Sequence, residues 1–158
     1  MTMHYQIRLA NRNDWADIIA LLSACHLPTQ DLSEDDAEQF QIACADGCII
    51  GTIGYEPHGA YVLFRSLAVS AIKRGHGIGS ALNKAMEQYC ADAGYKTAYI
   101  LTTTAENFAR QEDYIKIRRE DVPPVIQHTA QYSALCPCTA VCMYKDLKKR
   151  VQQSGPRD

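Results

Sequence analysis

The chain has 158 residues, 47% hydrophobic and 22% charged, with a formal net charge of -2. That length suits one domain with one core, and the near-balanced charge argues against nucleic acid or an acidic membrane as partner. No apolar run reaches bilayer-spanning length and the amino terminus lacks a basic, apolar leader pattern, so a soluble cytoplasmic domain is expected.

Residues 5–10 read as a first strand, and Asn11 is placed to cap a helix whose apolar face is Trp15, Ile18, Ile19 and Leu22. A polar stretch over 31–38 opens with Ser33 as a cap and Asp36 three residues on. Residues 40–45, 48–56 and 61–69 form an antiparallel meander, turned at Asp46-Gly47 and at Pro57-His58-Gly59. Ile78, Leu82, Ala85, Met86, Tyr89, Cys90 and Ala93 recur at the spacing of one helix face. Asn83, Lys84, Glu87, Gln88 and Asp92 take the polar face, and Gly94 stands where the helix should stop. Residues 97–103, 114–118 and 140–144 are further strands, with a short helix from Pro123-Pro124 to about residue 131. One domain is expected over 1–147, followed by a polar, frayed tail over 148–158.

Seven cysteines make an odd number. Cys25, Cys44, Cys48 and Cys90 fall within the expected helices and strands, as small core residues of a reduced protein do. Cys136, Cys138 and Cys142 lie close enough to suggest a thiol site for a soft metal such as arsenite. They lack the paired Cys-x-x-Cys of structural zinc, so a role in the strand is the main expectation and no metal is assigned.

The chemistry concentrates in Arg74-Gly75-His76-Gly77-Ile78-Gly79-Ser80, between a strand and a helix. A glycine-rich turn opening a helix gathers unpaired backbone N–H groups at one point, which makes an anion site. The dinucleotide pattern G-x-G-x-x-G fails in both registers, because Ser80 and Leu82 stand at its last glycine. The Gly-Lys-Ser/Thr ending of an ATP-type loop is also missing. Arg-x-x-Gly-x-Gly, read as Arg74, Gly77 and Gly79 after Ser66-Leu67-Ala68-Val69, resembles the acetyl-CoA pyrophosphate loop of the GNAT superfamily of N-acetyltransferases.

That resemblance implies an α/β (α+β) fold: a mixed, mostly antiparallel sheet of six to seven strands, flanked by helices. Two strands splay apart in it to hold the cofactor, acetyl-CoA, which serves as co-substrate. The implied cofactor residues are Leu67, Ala68, Val69, Arg74, Gly75, His76, Gly77, Ile78, Gly79, Ser80, Thr103 and Asn107. The Val69 backbone N–H would polarise the thioester carbonyl for attack by a small-molecule amine. By the same resemblance, Ala109 falls where many members carry a tyrosine acid, so the thiolate leaves unassisted or another tyrosine serves. A homodimer is expected by analogy.

Glu56 is the candidate base, at the end of its strand; the alternative is an exposed carboxylate beside a turn. Arg65 lies inside an apolar strand, with Leu63, Leu67 and Val69 on its pleat parity. It needs a partner there, either Glu56 or an anionic group of the substrate, and the register sets Glu56 and Arg65 nearly opposite. Segments 63–69, 101–106, 124–129 and 132–137 further resemble the ArsN-type acetyltransferases of arsenic-resistance operons. That likeness implies an amino-acid-like, organoarsenical or phosphinothricin-like acceptor. The alternatives are a CoA-binding sensor without catalysis and a thiol-based metal-binding protein.

Overall fold

The computed structural model describes residues 3–130, 132 and 140–148. Its framework is one seven-stranded sheet in the order β1-β2-β3-β4-β5-β7-β6. The strands are β1 (Gln6–Leu9), β2 (Phe40–Ala45), β3 (Cys48–His58), β4 (Tyr61–Val69), β5 (Thr97–Thr102), β6 (Ile115–Ile117) and β7 (Val141–Asp146). Only β4 and β5 run parallel; every other neighbouring pair is antiparallel.

At the start of the chain, Asn11 accepts from the Asn13 N–H at 2.9 Å while Asp14 accepts from the Asn11 N–H at 2.9 Å. This reciprocal cap starts one 3-10 turn, Arg12–Asp14, which leads into α1 (Trp15–Ala24). Arg8 forks onto the same carboxylate at 2.9 and 3.0 Å, and its hydrogen bonds hold the Asp14 carboxyl below the usual range. A lowered carboxyl pKa contributes stability above the unfolded-state value and loses it as pH falls through the folded value. Asp14→Asn should therefore cost about 1–2 kcal/mol at pH 7 by denaturant titration, with the gap to wild type closing below about pH 4.

The first hairpin turns on Asp46 and Gly47, at φ 53 and 77, the paired left-handed conformations of a type I′ turn. The second turn is tighter than the sequence suggests. Pro57 and His58 continue β3, pairing with Val62 and Tyr61, and Gly59-Ala60 alone make the corner. Pro57 is tolerated because β2 pairs no further along β3 than Gly54 and the Pro57–Val62 pair falls in a non-hydrogen-bonded position.

β4 carries a bulge in which Ser66 and Leu67 stand opposite Ile53 alone, with Ser66 at φ 59. The Thr52 hydroxyl donates to the Ser66 carbonyl at 2.8 Å and secures the irregular turn. The extra residue reverses the pleat. Val62, Phe64, Leu67 and Val69 pack toward α2 (Ile78–Asp92), while Ala68 packs with Ile18 and Leu22 of α1. The expected parity of Arg65 with Leu67 and Val69 is thus corrected: Arg65 faces away from both.

Helix α2 buries Ile78, Leu82, Met86 and Cys90 against one face of the sheet. Asn83 belongs to its buried residues rather than to its polar face, because Tyr114 reaches it from the chain before β6. On the opposite face Leu63, Tyr99, Val122 and Cys142 pack with Ile126 of α4 (Pro124–Gln127). Cys90 follows the core expectation, with burial pushing its thiol up to about 12, whereas Cys48 is exposed beside the first turn. The helix expected to reach about residue 131 breaks at His128-Thr129 and is helical again at Ala130, while residue 131 and most of the tail lie outside the described residues. Among the described residues, no helix is long and apolar enough to cross a membrane.

Candidate active site

Past β4, a 3-10 turn (Ala71–Lys73) delivers the chain into the glycine loop. Gly75 and Gly77 sit at φ 87 and 77, a region that L side chains rarely enter. Gly77 is the N-cap of the 15-residue α2, whose first i→i+4 bond runs from Ala81 to the Gly77 carbonyl at 3.0 Å. The N–H groups before Ala81 have no intrahelical acceptor. They face a cavity of about 300 Å³ that Val69, Lys73, Arg74 and Gly79 help to line. The helix dipole, the backbone donors and Lys73 favour an anion there. Its far wall carries Glu112, which accepts from the Ser80 hydroxyl at 2.8 Å. Arg74 folds back, donating through Nε to the Val69 carbonyl at 3.0 Å, so its contribution is to brace the loop.

The second part of the site is a gap in the sheet. β4 and β5 pair only through Tyr61–Leu63 and Thr97–Tyr99, although both strands continue. Beyond that point a cavity of about 340 Å³ opens between Ser66 and Leu67 on one side and residues 100–103 on the other. From Phe64 onward the edge of β4 that faces β5 has no strand partner. Phe108, on α3 (Glu106–Gln111), lines both cavities, and a Cβ on Gly79 would stand 3.6 Å from its ring. The cradle and the cleft thus share Phe108 as a wall.

A third cavity, about 460 Å³, lies beside the cleft, and Arg65 lines both. Glu56 is diagonal to Arg65 rather than opposite, since Glu56 pairs with Leu63 and Arg65 with Gly54. Their side chains still meet at 2.7 Å. Asp31, on the loop after α1, takes a fork from both terminal nitrogens of Arg65, one at 2.8 Å. Nε donates to Ser66 Oγ at 3.1 Å and Nη2 to the Pro28 carbonyl at 3.4 Å, so all five guanidinium N–H groups have acceptors. Burial disfavours the Arg65 charge, but the bonds to Asp31 and Glu56 outweigh it and raise the pKa. His58 Nε2 lies 3.2 Å from Glu56 Oε1.

Ala109 is buried and lines the cleft, and Tyr114 lines it too. The Tyr114 hydroxyl lies 3.0 Å from Asn83 Oδ1 and 2.9 Å from Glu87 Oε2; Lys145 neutralises Glu87 at 2.9 Å. Desolvation and then the Glu87 charge push Tyr114 well above the ordinary phenol pKa, so it stays protonated.

The remaining sequence candidates separate clearly. Leu67 and Thr103 line the cleft, while Val69, Gly75, Ile78 and Ser80 line the cradle. Ala68 is buried toward α1, His76 is exposed beside the cradle, and Asn107 is exposed on α3; none of these lines either cavity. Asp31 and Glu112 escape the sequence reading, which places Asn83 on the polar face of α2 and gives Phe108 and Tyr114 no role in the site. The polar stretch over 31–38 was the only signal available for Asp31. Cys136 and Cys138 lie outside the described residues, and Cys142 is buried in β7. Among the described residues, no group of three or more His, Cys, Asp or Glu side chains could hold a metal ion.

A glycine cradle at a helix N-terminus lies beside a gap between two diverging parallel strands, an arrangement suited to an extended, phosphorylated ligand. Residues 8–116 match the model of the Acetyltransferase (GNAT) family, so the chain belongs to the GNAT acetyltransferases. No curated protein matches the sequence. Among solved structures, it is similar to N-acetylglutamate synthase from Neisseria gonorrhoeae complexed with coenzyme A and N-acetyl-glutamate (TM-score 0.82, 16% identity). That match covers 94% of this chain but 36% of the synthase, so the chain spans about a third of that relative's length. A GNAT-family acetyltransferase from Staphylococcus aureus Mu50 has TM-score 0.69 and 19% identity, covering 92% of this chain and 100% of its own. The PaiA N-acetyltransferase from Thermoplasma acidophilum in complex with coenzyme A has TM-score 0.67 and 14% identity, covering 91% and 99%.

Proposed function

We propose that the protein transfers the acetyl group of acetyl-CoA to a primary amine of a small molecule by direct attack in a ternary complex. The observation that carries this is that the cradle and the cleft share Phe108 as a wall, and the cleft and the third cavity share Arg65. The loop from Arg74 to Ser80 would hold the diphosphate, and the unpaired edge of β4 at Leu67 and Val69 would bond the pantetheine arm as an added strand. A β4 backbone N–H near Val69 would polarise the thioester carbonyl. Glu56, 23% exposed and facing the third cavity, would accept the amine proton directly or through water. With Ala109 at the usual tyrosine position, the CoA thiolate leaves without that acid, which a thiol of pKa about 8.5 tolerates.

The likeness to arsenic-operon enzymes supports a narrower acceptor class, amino-acid-like molecules carrying an anionic group. Such a group would reach Arg65 by taking the place of Asp31. Cys25, Cys44, Cys48 and Cys90 are thiols, which suits a reducing cytoplasm. A CoA-release screen over amino acids, polyamines, aminoglycosides and phosphinothricin-like compounds is expected to yield an amine-dependent signal. Tight CoA binding with no release on any amine would establish the sensor reading instead.

A further inference from the structure

The cleft does not end at the plane of the sheet. On one face it reaches His26, Leu27 and Pro28 beside α1; on the other it continues to Ile53, Phe64, Ala109 and Tyr114, which belong to the core beneath α2. The α2-side branch has no part in the cradle, which shares Phe108 with the cleft, nor in the third cavity, which shares Arg65 with it. Ile53, Phe64, Ala109 and Tyr114 form the α2-side wall of the cleft.

We infer that this branch is an acyl chamber that accepts uncharged aliphatic acyl groups larger than acetyl, such as propionyl and butyryl. This rests on the acetyltransferase reading above. Ile53, Phe64 and Ala109 give the chamber an apolar wall and are 1%, 5% and 1% exposed. Its polar end is already engaged: the single Tyr114 hydroxyl proton lies between two acceptors, Glu87 Oε2 at 2.9 Å and Asn83 Oδ1 at 3.0 Å, and the Asn83 amide donates to Glu87 at 2.7 Å. Arg65, the cation on the cleft wall, faces the other side of the sheet from Phe64 and Leu67, so a carboxylated acyl group on the α2 side finds no counter-charge. Ala109 is the smallest side chain on this wall and is buried, so a larger one there takes up space in the cleft. The bond changes are those of acetyl transfer whatever the chain length. The thioester C–S bond breaks, the amide C–N bond forms, the amine proton leaves to a base, and CoA departs as thiolate.

Titration calorimetry with CoA and with acetyl-, propionyl-, butyryl- and succinyl-CoA tests this without a known acceptor. Each added methylene buried in the chamber should tighten binding about fourfold, and butyryl-CoA about 16-fold over acetyl-CoA. Succinyl-CoA should bind no better than acetyl-CoA. In Ala109→Leu, or in Ala109→Val should the leucine variant fail to fold, the butyryl-to-acetyl affinity ratio should collapse to one or below. A flat chain-length series in the wild type, a preference for succinyl-CoA, or an unchanged ratio in a folded Ala109 variant overturns the chamber while leaving the acetyltransferase reading intact. Failure of CoA itself to bind overturns both.

Discussion

Gly77→Val should weaken CoA binding by about two orders of magnitude, roughly 2.7 kcal/mol, while the variant still folds. Gly77 has φ 77, and a Cβ there meets nothing within 4 Å, so conformation rather than collision is at stake. Holding a β-branched residue in the left-handed region costs on the order of 1–3 kcal/mol. The cheapest relief is a backbone shift at the helix N-cap, which turns the N–H groups before Ala81 away from one another. Hydrogen bonds to a charged acceptor contribute about 1.5–3 kcal/mol each, so losing one or two accounts for the expected effect. Gly47→Val is the matched control, because Gly47 also has φ 77 and open space but sits in the β2–β3 hairpin and lines neither the cradle nor the cleft. Both variants should lose similar melting temperature, and only Gly77→Val should lose CoA in calorimetry. A folded Gly77→Val variant with unchanged affinity would remove the loop from the cofactor site.

Local pattern made the meander, the long helix and the anion loop legible. Periodicity decides which face of α2 is apolar, and Asp46-Gly47 suits a type I′ turn on its own chemistry. What escaped the sequence depends on partners far along the chain. The Ser66 bulge needs one extra residue on β4 but no glycine to announce it, and it reverses the parity of every later residue in the strand. Asn83 reads as a surface polar residue until Tyr114, thirty-one positions later, supplies a buried partner. β7 inserts between β5 and β6, an order that pairing energetics settle and no local segment shows. The cleft was expected only through family resemblance, because composition cannot show where a strand pair ends.

Arg65 tests the same distinction in energetic form, since Glu56 was within reach of a register argument and Asp31, thirty-four positions away, was not. Arg65→Ala should destabilise the fold by about 3–5 kcal/mol, because it leaves two carboxylates facing each other without their cation. For a domain of this size that lowers the melting temperature by roughly 6–20 °C. The Arg65 side chain is 2% exposed, against 16% for Asp31 and 23% for Glu56, so solvent replaces little of what is lost. Arg65→Lys should recover only part of the loss, since an ammonium cannot reach Asp31, Glu56, Ser66 and the Pro28 carbonyl together. Asp31→Ala should be milder, because Glu56 keeps its partner. Kinetics then separate structure from recognition. If an anionic acceptor replaces Asp31, Asp31→Ala should lower KM for acidic amines and Arg65→Ala should raise it, with neutral amines unaffected. A fall in melting temperature with KM unchanged in both variants makes the triad a purely structural clamp. An unchanged melting temperature in Arg65→Ala would instead show that the buried ion pairs do not hold the α1 loop on the sheet.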